Sequence, residues 1–178
     1  MKPYYTKKQW QELCKSITIV CTTNEQKNEH IKQFFDKHKI SYIDRALKTG
    51  DYSFMIPQNI DLGFEKDTYF TDELFIERKN SLGELASSLN NEAFHYELKR
   101  SQNIDNKFLL VEQVGGWQDI VEHNYRNDYN EKSFYATLCT IMTQYNVKIC
   151  FLPKEQMGGM IFNICKSILN KYTLHDSV

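Results

Sequence analysis

The sequence predicts an α/β fold, a mixed central sheet with helices on both faces. Short apolar runs rich in β-branched residues alternate with amphipathic helical stripes through the second half, and that alternation implies crossover connections between parallel strands. The strands of the first half lie closer together, as in an antiparallel meander. No repeat, low-complexity run or linker interrupts the 178 residues, with 7 Gly and 3 Pro among them, so 1–178 reads as one domain.

A short helix is expected first. Residues 16–23 (SITIVCTT) then suit a buried strand. Thr23 and Asn24, followed by Glu25, Gln26 and Glu29, open a helix whose stripe is Ile31, Phe34 and Phe35, reaching about Lys39. Residues 40–47 form a second strand ended by Gly50, 51–57 a third, and 58–72 a loop. Residues 74–79 (LFIERK) are an apolar strand whose end turns charged. After Ser81, the stripe Leu82, Leu85, Ala86, Leu89, Ala93 and Tyr96 predicts one helix as far as Arg100 or Ser101. Residues 107–112 (KFLLVE) form a strand ended by Gly115 and Gly116. Phe134, Leu138, Ile141, Met142 and Tyr145 mark the next helix, and 147–152 the last strand, stopped by Pro153. A final helix lies within 154–178 and carries Met157, Met160, Ile161, Ile164, Cys165, Ile168, Leu169 and Tyr172.

Composition excludes several classes. With 22 basic against 23 acidic residues and 41% hydrophobic content, the chain has the material for a core and is not a disordered polyelectrolyte. A net charge of −1 means that nucleic acid, if bound, is held by a local patch. No run of about 18 apolar residues appears, and the N-terminus (Met1-Lys2-Pro3-Tyr4) leads into no signal-like segment, so no membrane span and no secretion are expected. Cys14, Cys21, Cys139, Cys150 and Cys165 are odd in number and lack C-x-x-C spacing, and read as reduced core residues of a cytoplasmic protein. His30, His38, His95, His123 and His175 show no zinc-ligand spacing.

The chemistry concentrates in Thr49-Gly50-Asp51-Tyr52 and Ile76-Glu77-Arg78-Lys79. Side chains two apart in a strand share a face, so Glu77 and Lys79 project together and Arg78 projects oppositely. Two carboxylates and a lysine suit phosphodiester hydrolysis with Mg²⁺ or Mn²⁺, because these hard cations take oxygen ligands and keep waters for a substrate phosphate. Taken singly, Asp51 also fits a turn residue after Gly50. Ser81 and Glu84 match the S-x-x-E capping box, the structural reading of Glu84. Glu97 is a lower-ranked candidate on the helix beside the site. Lys99, Arg100 and Lys107 read either as compensation of a helix dipole or as a DNA-phosphate patch.

G-D-Y followed by an apolar strand ending I-E-R-K, then Ser81-Leu82-Gly83-Glu84-Leu85 and the later Phe108-Leu109-Leu110-Val111-Glu112, resembles the nuclease domain of the XPF family, a variant of the PD-(D/E)xK fold, and so implies a restriction-endonuclease-like α/β architecture. The resemblance runs from about 40 to 153. It implies a metal-dependent DNA endonuclease with selectivity for branched or flapped DNA, in which Asp51 and Glu77 hold Mg²⁺ or Mn²⁺, Arg78 contributes its carbonyl and Lys79 assists the water. It further implies a free-standing bacterial or phage-type member, active in the cytoplasm of a cell or infected host in repair or recombination. A homodimer is a further expectation, with the apolar final helix as its candidate face. The family's aspartate four residues past the lysine is Gly83 here, with Glu84 next to it. The alternative in a different class is a DNA-binding or scaffolding module of the same fold that cuts nothing.

Overall fold

The computed structural model describes residues 5–25 and 27–174. Residues 1–4, Gln26 of the expected helix start and His175 lie outside the described residues. In chain order the elements are α1 (Lys7–Lys15), β1 (Thr18–Cys21), α2 (Glu29–His38), β2 (Ser41–Asp44), β3 (Tyr52–Ile56), β4 (Thr68–Tyr69), β5 (Leu74–Lys79), α3 (Leu82–Leu89), α4 (Glu92–Arg100), β6 (Asn106–Glu112), α5 (Trp117–Val121), α6 (Glu131–Gln144), β7 (Val147–Leu152) and α7 (Met157–Leu174). Single 3₁₀ turns occupy Ile60–Leu62 and Lys154–Gln156.

The seven strands form one mixed sheet in the order β2-β1-β3-β5-β6-β7, with β4 paired to β3. β1 and β2 run parallel, as do β5, β6 and β7, while β3 is antiparallel to both of its neighbours β1 and β5. The first strands are therefore not the expected meander. Helix α2 is long enough to carry the chain back across the sheet, so β2 returns parallel to β1 and lies at the edge, where its residues are half-exposed or exposed. All strands but β3 thus point one way, and the carboxyl ends of β1, β5 and β6 gather at one side.

The pleat sorts the core into two layers. Ile19, Cys21, Phe54, Ile76 and Leu110 pack with α1, α2 and α7 on one face, and Leu109, Val111 and Val147 pack with α3 to α6 on the other. The stripe of α7, from Met157 through Leu169, is consumed in the first layer and so offers no free face for a second copy. Of the cysteines, Cys21 and Cys165 are buried, but Cys139 is exposed and Cys14 and Cys150 are half-buried, which corrects the reading of all five as core. No helix of the described residues is long and apolar enough to cross a membrane.

The helix expected to run unbroken to Arg100 is two. Asn90 closes α3, and the Asn91 side chain accepts from the Ala93 N–H to cap a new helix. Asparagine competes for backbone hydrogen bonds and so ends helices readily. The break resets the phase: Phe94 and Leu98 are buried, whereas Ala93 and Tyr96 are exposed. Helix α2 starts at Glu29, later than expected, and leaves residues 22–28 as a loop at the carboxyl end of β1. The long segment 58–72 contains β4, and α5 follows Gly116; neither was expected.

Gly158 is where α7 meets α2. A Cβ there would lie 2.7 Å from Phe34 Cδ1 and 2.9 Å from its Cβ, too close for a rotamer change to relieve. Gly158→Leu is expected to destabilise the protein by about 1–3 kcal/mol, as overpacking does, seen as a lower urea midpoint at unchanged m.

Candidate active site

The site is built at the carboxyl ends of the parallel strands, where crevices of open α/β sheets form. Gly50 adopts φ +76, a conformation open to glycine, and a Cβ there would stand 3.0 Å from the Ile76 carbonyl. This close approach lets the Asp51 N–H donate to Ile76 O at 2.7 Å. Asp51 Oδ2 accepts in turn from the Arg78 main-chain N–H at 2.8 Å. One backbone bond and one bond to the Asp51 carboxylate thus clamp the start of β3 onto the end of β5.

Glu77 and Lys79 project to the same face, as the strand period requires, and Lys79 Nζ donates to Glu77 Oε1 at 2.6 Å. Lys79 also lies over the Phe94 ring, 5.1 Å from its centroid. The other carboxylate oxygen, Glu77 Oε2, is buried and has no hydrogen-bond partner. Asp51, Glu77 and Lys79 share a cleft of about 300 Å³ with Asn24, Glu25, Lys27, Arg78, Asn80 and Glu84. A hollow of about 330 Å³ between α1, α2 and α7 contains no carboxylate.

Burial, above all, pushes Asp51 up to about 7, with Glu25 and Glu97 adding repulsion that the Arg78 N–H and Lys79 partly offset. Burial and then the Asp51 charge push Glu77 up to about 8, against the pull of Lys79. The two carboxylates titrate as a pair. For Lys79, burial opposes the charge but Glu77 and Asp51 outweigh it, so the ammonium is held above its ordinary value.

The other expected residues fall elsewhere. Arg78 turns its guanidinium to the opposite face, where it meets Glu112 and Glu25. Glu84 is exposed at the cleft mouth; its N–H donates to Ser81 Oγ, so Ser81 caps α3, while its Oε2 accepts at 2.6 Å from the N–H of Asn80, one residue ahead of the cap, and the expected reciprocal box is half formed. Glu97 is half-buried, 3.4 Å from Arg100, and is felt electrostatically by Asp51 and Glu77 without lining the cleft. Lys99 and Arg100 are exposed. Lys107 is a correction. It is buried, its Nζ donates to the carbonyls of Ser101 and Ile104, and burial pulls its pKa down, so it satisfies the end of α4 and is not presented to a phosphate. Trp117 packs against Tyr135 and Phe151.

Glu25 was missed as a site residue, because it was read as part of a helix start. Its signal was its place just past the expected strand 16–23; that this strand is parallel to β2, so that its carboxyl end is where ligand-binding loops collect, is shown only by the fold. His30 and Glu112, joined at 2.6 Å, carried no such signal.

A divalent cation fits this donor set. Two neighbouring carboxylates that repel each other, Glu77 buried with an unpartnered oxygen and Asp51 half-buried, call for positive charge. Among the described residues no set of three or more His, Cys, Asp or Glu side chains could hold a metal ion. Mg²⁺ does not need one, since it is bound through one or two carboxylates plus waters and substrate phosphate.

A mixed sheet sandwiched between helices, with an acid pair and a lysine at the carboxyl ends of its strands, defines an α/β protein of the XPF nuclease fold. The sequence matches the ERCC4 domain over residues 22–162, and the chain belongs to that family. XPF from Aeropyrum pernix superposes with a TM-score of 0.61 at 18% identity, covering 84% of this chain and 60% of that one. XPF from Aeropyrum pernix in complex with DNA gives 0.60 at 17%, covering 86% and 66%. At these identities the likeness is one of fold, and the chain spans less than two thirds of those proteins. No protein of curated function matches the sequence.

Because both carboxyls are raised in the folded state, the stability they contribute is fully present below their unfolded values of about 4 and is lost as pH rises through about 7 and 8. Without metal, Asp51→Asn is therefore expected to melt higher than the parent at pH 8, at about 2–4 °C per kcal/mol for a chain of this size, and to show little advantage at pH 4. Mn²⁺ added to the parent protein is expected to raise the melting temperature more at pH 8 than at pH 5, because protons compete for the same oxygens. Differential scanning calorimetry at both pH values checks each.

Proposed function

We propose that this protein is a Mg²⁺- or Mn²⁺-dependent DNA endonuclease, with selectivity for branched or flapped DNA as its XPF kinship suggests. The observation that carries the reading is the Asp51–Glu77 pair, Glu77 buried with an unpartnered oxygen and Asp51 half-buried, beside an ammonium in an open polar cleft. Membership of the ERCC4 family and a fold shared with an XPF that is known in complex with DNA support it.

Asp51 and Glu77 would hold the cation, together with the main-chain carbonyl of Arg78. When bound, the cation neutralises charge on the scissile phosphate and lowers the pKa of a water. Asp51 is fixed for this by the Arg78 N–H at 2.8 Å. Lys79, kept cationic by Glu77 and Asp51, orients the attacking water and stabilises the extra negative charge on phosphorus in the transition state. The water oxygen bonds to phosphorus as the P–O3′ bond breaks, leaving a 5′-phosphate and a 3′-hydroxyl. Glu84 holds the first turn of α3 at the cleft mouth, and Lys99 and Arg100 offer exposed cations to neighbouring phosphates.

The test is incubation with linear, flapped and branched DNA in Mn²⁺. Cleavage is expected, with Glu77→Ala and Lys79→Ala each slower by about 10²–10⁴-fold, the range of a positioned charged group in such chemistry. Full activity in both variants overturns the reading. DNA binding with no cleavage and no heat of Mn²⁺ binding assigns the protein instead to the silent scaffolds of the same fold.

A further inference from the structure

On the sheet face opposite Glu77 and Lys79 lies a chain of ionic contacts that the proposed reaction does not use. The Arg78 side chain, 3% exposed, donates through Nε to Glu112 Oε1 at 2.8 Å and places Nη1 3.3 Å from Glu25. Glu112 ends β6, its side chain 9% exposed, and the same Oε1 is met at 2.6 Å by His30 Nε2 from the first turn of α2. A carboxylate this buried depends on its donors, and a guanidinium this buried depends on its carboxylates, since an unpaired charge inside a protein is strongly destabilising.

The chain leads back to the cleft by two routes. The main-chain N–H of Arg78 holds Asp51, and its guanidinium faces Glu25 on the cleft wall. His30 adds a third constraint. It stands two residues after Asn28, the residue that opens α2, so fastening it to the end of β6 sets where the loop carrying Asn24, Glu25 and Lys27 can lie. Without His30, Glu112 loses one of two donors to a single oxygen, and the first turn of α2 loses its tie to the sheet.

We propose that His30 is a positioning residue of the candidate active site, acting through Glu112 to fix Arg78, and through Arg78 and the 22–28 loop to hold Asp51 and Glu25 in the cleft. Its effect on cleavage rests on the nuclease reading; its effect on geometry does not. The role is that of outer contacts around metal sites, which orient the ligands without touching the ion.

The experiment compares the full chain with His30→Leu and His30→Gln by amide hydrogen exchange at Arg78, Mn²⁺ titration calorimetry and cleavage kinetics. In His30→Leu the Arg78 amide is expected to exchange faster, Mn²⁺ affinity to fall about tenfold, and kcat to drop while KM for DNA stays unchanged. In His30→Gln, whose amide can still donate to Glu112, all three are expected to return close to the parent. A folded His30→Leu with parental exchange at Arg78 and parental Mn²⁺ affinity overturns the proposal. Should His30→Leu not fold, the same two readouts on Glu112→Gln decide it. A parent protein that cuts no DNA overturns the nuclease reading alone, and the exchange comparison still judges the role of His30.

Discussion

The structure turns on two carboxylates placed where a carboxylate is costly. Asp51 and Glu77 meet at the seam between β3 and β5, Glu77 buried and Asp51 half-buried, and neither has a full set of partners. Asp51 receives one main-chain N–H and Glu77 one ammonium, while Glu77 Oε2 receives nothing. In a low dielectric such a pair favours the neutral form, as the rise of both groups shows. A fold that retains this arrangement sacrifices stability locally, and the shortfall has the sign and hardness that a divalent cation with its waters would supply.

The single antiparallel strand makes the seam. Were β3 parallel like most of the sheet, its start would lie at the far end from Lys79. Because it is reversed, its first residue follows Gly50 directly into the neighbourhood of Ile76 and Arg78, and a glycine-only conformation closes the gap. The pleat then divides the three consecutive charges of β5 between two tasks. Glu77 and Lys79 open to the cleft on the side of α3 and α4, while Arg78 is sent into the layer of α2 and α7. Arginine suits that interior place better than lysine, since its planar fork reaches Glu112 and Glu25 together and stays charged when buried.

What could be read from the sequence was what local periodicity encodes. The face shared by Glu77 and Lys79, the strand 107–112 and the stripe of α7 all follow from spacings of two, three or four residues, and the structure shows them. Contacts between distant segments were not encoded that way. The pairing of β1 with β2 depends on where α2 returns the chain, and Glu25 enters the cleft only because residues 22–28 are loop rather than helix. The α3–α4 break was hidden because Asn90 and Asn91 do not interrupt the apolar spacing even as they interrupt the helix. Lys107 misled for a related reason: a lysine in a strand reads as a surface charge, and only the fold shows the α4 carbonyls folded back onto it.

With Lys107 turned inward, Arg78 locked between carboxylates and Lys79 bound to Glu77, the exposed cation among the described residues lining the cleft is Lys27, while Lys99 and Arg100 stand exposed on α4 outside that lining. The chain as a whole carries a net charge of −1. Neither the bulk field nor a dense basic patch therefore accounts for holding a polyanion against an acidic cleft, where Glu25, Asp51, Glu77 and Glu84 would repel it. On the proposed reading the cation resolves this opposition, since its charge turns the acid pair from a barrier into the point of attachment for one phosphate. Substrate engagement and catalysis then depend on the same two side chains, and the scaffolding behind them, from Arg78 to Glu112 and His30, is where the fold makes their geometry durable.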